Sequence, residues 1–407
     1  MQIMNGSLYE DLSSALKSTT AGESITDNGT RLNLSSVDKG GAPEGCVVIR
    51  FADYIPWDNP DNIINQDQEK IIETFVNGVS LPLLTAVCTV TNMINMIVFY
   101  KHGLKERINL TLFALALCDL LYVLQSATCY SDRLYLIITK APSRYGPSVK
   151  TFTDNKLVGL YGISWASQFL TTIIACERCF CVVSPIRAHS FIKTRTMALI
   201  ICLACAGIVG LFFVVGFRWS VKCVYNPLTG TAENTIYPSD FYFRHRKLVD
   251  TLDGVVYGLS LPIIYVVVVT TATVITAVKL KKMAAWREQS SSAASLSVRD
   301  VTLTRMLIGT SILFVVTAIP GIGFRTAILF TPDLSLGGRY RNTFNSMLFL
   351  SLLLTYVNSS LNFFIYYRFG TKFRETVRLL FGRFAQMTGK REKNVKSTRV
   401  NVTEETA

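Results

Sequence analysis

The chain has 407 residues, of which 50% are hydrophobic and 17% charged, with a net charge of +13. An average soluble domain carries about 25% charged residues, so the composition excludes an ordinary soluble domain and points to a membrane chain. The basic excess requires no nucleic-acid partner, because attraction to anionic lipid and the insertion rule for basic loops account for it.

The first seventy or so residues mix Ser, Thr, Gly, Asn and Asp without helical or strand periodicity, which predicts a solvated, disordered leader over 1–72. It carries three glycosylation sequons, at Asn5, Asn28 and Asn33, which function only on the lumenal or extracellular side. No short apolar run with a small-residue cleavage site precedes the first long apolar segment, so no cleaved signal peptide is expected and the first span acts as anchor.

A helix needs roughly 20 mostly apolar residues to cross the hydrocarbon core. Seven windows qualify, at 75–100, 108–128, 157–183, 196–217, 254–278, 301–324 and 343–367. An odd number places the termini on opposite sides. The first connection carries Lys101, Lys105 and Arg107, the third Arg187, Lys193 and Arg195, and the fifth Lys279, Lys281, Lys282, Arg287 and Arg299. These loops therefore read as cytoplasmic. The N-terminus is then extracellular, and Asn109, Asn358 and Asn401, which also sit in sequons, stay unmodified.

Between the fourth and fifth spans, residues 218–253 contain Cys223 and a turn-prone run from Asn226 to Gly230, consistent with a hairpin over the bundle mouth. The fifth connection holds a serine-rich piece, 289–297, that reads either as a linker or as a phosphorylation site. After the seventh span Phe369, Phe373, Val377, Leu380, Phe381 and Phe384 recur at helical spacing, with Lys372, Arg374, Arg378 and Arg383 between them. That pattern predicts a short amphipathic eighth helix on the inner membrane surface. The expected fold is thus an all-α membrane protein, a seven-helix bundle over 73–384 followed by a cytoplasmic tail over 385–407.

Ten cysteines are present, and Cys176, Cys179, Cys202 and Cys205 mimic the spacing of metal or redox sites. Cysteine as a small apolar residue is the plainer explanation, since no histidine lies nearby. Only Cys46, Cys129 and Cys223 reach the oxidising side, and their odd count leaves at least one unpaired.

Polar residues at membrane depth are costly and mark functional sites. They are Asn92 and Asn95 in the first span, Asp119 in the second, Ser167 in the third, and Asn358, Ser359 and Asn362 in the seventh. Any one of them is explained by a helix-packing hydrogen bond, but the set points to a shared, water-filled pocket. Glu177-Arg178-Cys179 places an ion pair at the end of the third span. Pro82, Pro262 and Pro320 interrupt spans and supply kinks, with Pro262 and Pro320 as candidate pivots.

In order and spacing these residues resemble the rhodopsin-like (class A) G-protein-coupled receptors. Asn92 matches the asparagine of the family's first helix, Asp119 the aspartate of its second, Glu177-Arg178-Cys179 its Asp/Glu-Arg-Tyr motif, and Asn362-Phe-Phe-Ile-Tyr366 its Asn-Pro-x-x-Tyr motif. The resemblance implies an extracellular ligand and a heterotrimeric G protein, with arrestin and receptor kinases as further partners, at the plasma membrane. It implies no enzyme activity and no cofactor beyond an allosteric sodium ion at Asp119, Ser167, Asn358, Ser359 and Asn362. Arg178 would meet the G protein, restrained until then by Glu177, and Tyr366 would turn inward on activation. Asp300 would add a second clasp, or is simply an acid favoured at a helix start.

Some family positions differ. The expected tryptophan is Ala318, the proline after Asn362 is Phe363, and Thr153 lies near the place of the cysteine that usually pairs with the loop cysteine. Cys223 is left to pair with Cys46 or Cys129, or to remain free. Leu160 stands at the aminergic aspartate position and Tyr356 at the retinal lysine position, which argues against an amine receptor and a photoreceptor. The run from Asn358 to Tyr366 is most similar to invertebrate peptide receptors of the FMRFamide-receptor type and related orphan or chemosensory receptors. Lys156, Leu160, Tyr161, Tyr257, Arg325 and Tyr356 are the candidate ligand contacts, for a peptide or, alternatively, a small chemosensory molecule. A transporter or channel is the competing class, disfavoured by the odd span count and the lack of an internal repeat.

Overall fold

The computed structural model describes residues 45–48, 60–139, 159–184, 193–226, 231–289, 298–335 and 338–382. Among the described residues, seven helical segments are long and apolar enough to cross a membrane. They are α1 (Gln66–His102), α2 (Arg107–Thr139), α3 (Gly162–Val183), α4 (Thr194–Phe213), α5 (Asp240–Met283), α6 (Val298–Phe330) and α7 (Arg341–Phe369). The helical form follows from the solvent: hydrocarbon offers no partner for a backbone N–H or C=O, so each segment satisfies its own. Hydroxyls inside the spans do the same, Thr91 donating to the carbonyl of Val87 at 2.8 Å and Ser360 to that of Tyr356 at 2.7 Å.

α1 begins earlier than hydropathy alone indicates. Asn65 and Gln68 form a reciprocal capping box, Gln68 N donating to Asn65 Oδ1 at 2.8 Å and Asn65 N to Gln68 Oε1 at 3.1 Å, and Asp67 and Glu69 occupy the first turn. Both features stabilise a helix start. The expectation of an unstructured leader to residue 72 is therefore corrected for its described part, since the helix starts at Gln66 and a strand lies at Val47–Val48. α1 ends at Gly103, whose φ of 94° lies in the left-handed region that glycine enters without cost.

Proline leaves a visible mark at two of its three positions. Leu81-Pro82 follows a π-helical turn at Val76–Ser80, and Leu261-Pro262 follows a π-helical stretch at Thr251–Ser260. A proline ring cannot donate to the carbonyl four residues back, and the wider turn absorbs that loss. Pro320 is carried inside α6 without such a turn.

α1 packs against α2 and α7, α6 bridges α5 and α7, and α3 touches α2, α4, α5 and α6, which makes it the central post. Large apolar side chains such as Leu203, Val267, Val316 and Leu329 face outward, as lipid contact requires. The interior divides into apolar zones. One, at the hairpin end, contains Cys88, Tyr122, Tyr161, Phe212, Tyr257 and Tyr356. Another, at the Arg178 end, contains Val98, Leu112, Leu170, Met306, Tyr366 and Phe373.

The helical bundle carries one small sheet, at the connection where a hairpin is expected from the sequence. β2 (Trp219–Asn226) and β3 (Thr231–Pro238) form an antiparallel hairpin pairing Cys223 with Asn234, and β1 (Val47–Val48) adds in parallel along β2 opposite Val224 and Tyr225. Cys46 and Cys223 form a disulfide across this edge. That resolves the alternatives for Cys223 and ties the leader to the hairpin.

After Gly370 the chain is helical again over 371–382. Phe373 and Val377 are buried in the Arg178-end core, while Leu379 and Phe381 are exposed. The His102 ring lies 3.0 Å from Thr376 Oγ1, pinning this segment to the end of α1. Gly370 sits where a Cβ would come within 2.6 Å of the Tyr366 carbonyl oxygen, so the turn needs a residue without a side chain.

Candidate functional site

A polar layer lies between the two apolar zones. On every helix that contributes, the polar residues fall between a hairpin-end and an Arg178-end core residue: Asn92 and Asn95 between Cys88 and Val98, Asp119 between Leu115 and Tyr122, Ser167 between Tyr161 and Leu170, Ser359 and Asn362 between Tyr356 and Tyr366. Asp119, only 1% exposed, is the centre. Its Oδ1 accepts from Ser167 Oγ at 2.6 Å and from Ser359 Oγ at 3.1 Å, and its Oδ2 from Asn362 Nδ2 at 3.2 Å. A buried carboxylate without such partners would be strongly destabilising.

Asn92 joins one link away, its Nδ2 donating to the Ser359 and Cys88 carbonyls, each at 3.1 Å. Asn95 donates to Asn92 Oδ1 at 3.3 Å. Asn358 lies on the wall of a small cavity of about 40 Å³ beside Asp119, Ser167 and Ser359, large enough to hold water. The carboxylate and two hydroxyl oxygens around this space are a donor set of the kind a hard cation takes.

At the far end of α3 the charges are held less closely. Glu177 Oε1 lies 3.9 Å from Arg178 Nη2 and 3.5 Å from Arg107 Nε. Both distances exceed those of a strong charge-assisted hydrogen bond, about 2.7–2.9 Å. Among the described residues, Glu177 Oε2 and Arg178 Nε are buried without a hydrogen-bond partner. Arg107, which sequence reading assigned only to a basic loop, thus approaches the same carboxylate as Arg178. Asp300 falls in the first turn of α6, and its side chain lies outside the described ones. Tyr366 is 2% exposed and packs edge-on against Phe99 and Phe373, with ring centroids 5.5 and 5.6 Å away.

A larger cavity of about 160 Å³ opens at the hairpin end, lined in part by Tyr161, Trp165, Phe212, Asp253, Pro262 and Arg325. Among the candidate ligand contacts, Tyr161 and Arg325 are on its wall. Tyr257 and Tyr356 are instead buried members of the hairpin-end core: the Tyr257 hydroxyl donates to the Ile208 carbonyl at 2.8 Å, and the Tyr356 ring stands edge-on to Tyr122 at 5.8 Å. Leu160 is half-buried just before α3 and does not line the cavity. Lys156 and the sequon residues Asn5, Asn28 and Asn33 lie outside the described residues. Trp165, Gln168, Phe212 and Asp253 were not singled out from sequence. The helical offset from Tyr161, four residues to Trp165 and seven to Gln168, was the available signal for two of them.

The rim is clamped by ions. Arg218 donates to Asp253 Oδ2 at 2.8 Å and to Asp250 Oδ1 at 2.7 Å, while its guanidinium stacks 5.3 Å over the Tyr242 ring. Lys222 on β2 pairs with Asp240 at 2.7 Å. At the start of α7, Asn345 Nδ2 donates to Glu69 Oε1 at 2.6 Å, tying it to α1.

Elsewhere, Cys118 and Cys205 meet in a side-chain hydrogen bond. Cys176 and Cys202 are exposed on the outside of the bundle, not buried as apolar fillers. Among the described residues no three His, Cys, Asp or Glu side chains form a metal-holding group. The amide of Asn109 is taken up by the carbonyls of His102 and Gly103 and by Glu106 Oε2, at 3.1–3.2 Å.

A seven-span bundle with a cavity at one end, a buried carboxylate at mid-depth and an Arg beside a Glu at the other end is the architecture of a serpentine receptor. Residues 80–384 match the model of the serpentine type 7TM GPCR chemoreceptor Srw family, and the chain belongs to that family. It is also similar to the FMRFamide receptor of Drosophila melanogaster, with 23% identity over 313 residues, which cover 76% of this chain and 54% of that protein. The chain therefore spans about half the length of the curated relative it matches.

Proposed function

We propose that the protein is a plasma-membrane receptor whose hairpin end is extracellular, and that ligand binding in the 160 Å³ cavity activates a heterotrimeric G protein at the Arg178 end. The supporting observation is one helix, α3, that lines the ligand cavity with Trp165 and Gln168, donates to Asp119 from Ser167, and carries Glu177-Arg178 in its last turns. The ligand acts by binding one of two bundle conformations better than the other. In the resting form the Glu177 carboxylate lies between Arg107 and Arg178; in the active form Arg178 leaves it for the G protein. Lys101, Lys105 and the basic tail then face the anionic inner leaflet, with residues 371–382 as a surface helix.

The ligand is a peptide in this reading, supported by the FMRFamide receptor of the fruit fly and by a rim that offers both Asp253 and Arg325 to a polar backbone. The chemoreceptor description of the family supports a small-molecule ligand as the second reading. At mid-depth, Asp119, Ser167 and Ser359 would hold a sodium ion with water and so favour the resting form. Arrestin and receptor kinases are further partners, with the serine-rich 289–297 loop as a substrate. Cells expressing the chain are challenged with a peptide and metabolite library while G-protein activation and substrate flux are recorded. Ligand-dependent activation without flux is expected, and flux without activation would replace the receptor by a transporter.

A further inference from the structure

The hairpin-end cavity has two charged residues on its wall, Asp253 of α5 and Arg325 of α6, and they are not equally available. Asp253 Oδ2 already accepts from Arg218 at 2.8 Å, and the Arg218 side chain is only 12% exposed. A ligand cation seeking Asp253 would compete with a guanidinium that the fold holds beside it at high effective concentration. Arg325 is near enough for its charge to act on Asp253, yet among the described residues it makes no ion pair or hydrogen bond. Its stem crosses the π-helical stretch of α5. A Cβ on Gly258 would stand 3.6 Å from Arg325 Cδ and 2.8 Å from the Asp253 carbonyl oxygen, so the glycine keeps this crossing open.

The charges of the rim do not balance. Arg218, Arg246 and Arg325 face Asp250 and Asp253, which leaves one cation over, and Arg325 is the one on the cavity wall without a close anion. An enclosed guanidinium without a counter-charge is costly, and a ligand that brings an anion relieves that cost.

We infer that the cavity takes an anionic ligand, an aromatic or apolar body bearing a carboxylate, with the carboxylate on Arg325 and the body against Trp165, Phe212 and Phe324. The guanidinium fork matches two carboxylate oxygens, whereas an amide offers it a single neutral one. A small aromatic acid and the C-terminal carboxylate of a peptide share this chemistry. The inference rests on the reading of this cavity as the ligand site, and it adds the charge of what enters and the residue that receives it.

The test is the thermal unfolding midpoint of the purified, detergent-solubilised full chain, titrated with matched acids and amides. One pair is indole-3-acetate and indole-3-acetamide, the other N-acetylphenylalanine and its amide, and phenethylammonium is the probe of opposite charge. The acid of a pair should bind about tenfold more tightly than its amide. Preference confined to indole-3-acetate assigns the carboxylate to a small aromatic acid, and preference for N-acetylphenylalanine admits a peptide C-terminus. Arg325→Gln should erase the advantage of acid over amide and leave the affinity of the amide unchanged, a split that general damage to the cavity would not produce. If that variant does not fold, Arg325→Met, which keeps the stem across Gly258, takes its place. An undiminished acid preference in the variant overturns the proposal, and so does stronger stabilisation by phenethylammonium than by either acid. Amides that stabilise the wild type as well as the acids overturn it too, while leaving the cavity as the ligand site. If none of these compounds moves the midpoint, the proposal is overturned and the receptor assignment is decided by the signalling experiment.

Discussion

The two ends of α3 differ in how firmly charge is held around them. At the hairpin end Arg218 grips two carboxylates at 2.7–2.8 Å, Lys222 grips a third at 2.7 Å, and a disulfide closes the sheet. At the Arg178 end the Glu177 carboxylate is approached by two arginines at 3.5–3.9 Å. Close pairing costs little to maintain and much to break, whereas a poorly paired buried charge is easily persuaded to exchange partners. Under the proposed function, the difference teaches that rigidity is concentrated at the ligand end and withheld at the end that meets the G protein.

The largest effect should come from Arg178→Ala, which removes the exchangeable cation. G-protein activation is expected to vanish at normal surface level, and undiminished signalling would remove Arg178 from the output face. Next, Arg218→Ala leaves Asp253, 13% exposed, without its clamp. A loss of about 2 kcal/mol is expected, less than for a fully buried pair because Asp250 is 42% exposed. A thermal midpoint equal to wild type would show that the rim is not the stronger end.

Arg325→Ala should shift the agonist dose-response curve by about tenfold with little change in receptor number, and an unmoved curve would take Arg325 out of the ligand site. Glu177→Gln weakens an already loose contact, so ligand-independent activity should rise by a factor of about 2–5, corresponding to about 0.5–1 kcal/mol. Identical basal activity would mean that the Arg178 end is restrained by something other than this carboxylate. Smallest is Asp119→Asn in sodium titrations of agonist binding: sodium should lower affinity in the wild type and have less effect in the variant. Equal salt responses would argue against an ion in the polar layer.

Much of this organisation was legible in the sequence because hydrocarbon imposes a simple rule on length and composition. The spans follow from apolar windows, and the polar layer from residues that hydrocarbon tolerates only in company, Asp119 above all. What was not legible has a physical reason in each case. The early start of α1 depends on a capping box at Asn65 and Gln68, a local hydrogen-bond pattern that a hydropathy window does not register. Arg107 beside Glu177 is a contact across 70 positions of sequence, set by how α2 leans on α3. Tyr257 and Tyr356 carry the right chemistry for a ligand contact, yet the rotation of α5 and α7 turns them into the core. The partner of Cys223 depended on where the leader adds to the sheet, which three candidate thiols could not settle by counting.

The bridge from Cys46 to Cys223 has a mechanical consequence. It fastens the hairpin to the leader, while the three cysteines of α3, Cys176, Cys179 and Cys181, remain free thiols. The lid and the central post are thus not stitched together through these sulfurs. A tug on the leader is transmitted to the hairpin by a covalent bond. Among the described residues the leader and the hairpin are thus joined covalently, whereas α3 is held to its neighbours by noncovalent contacts, closely packed where Gly162 meets Val209 and Phe212.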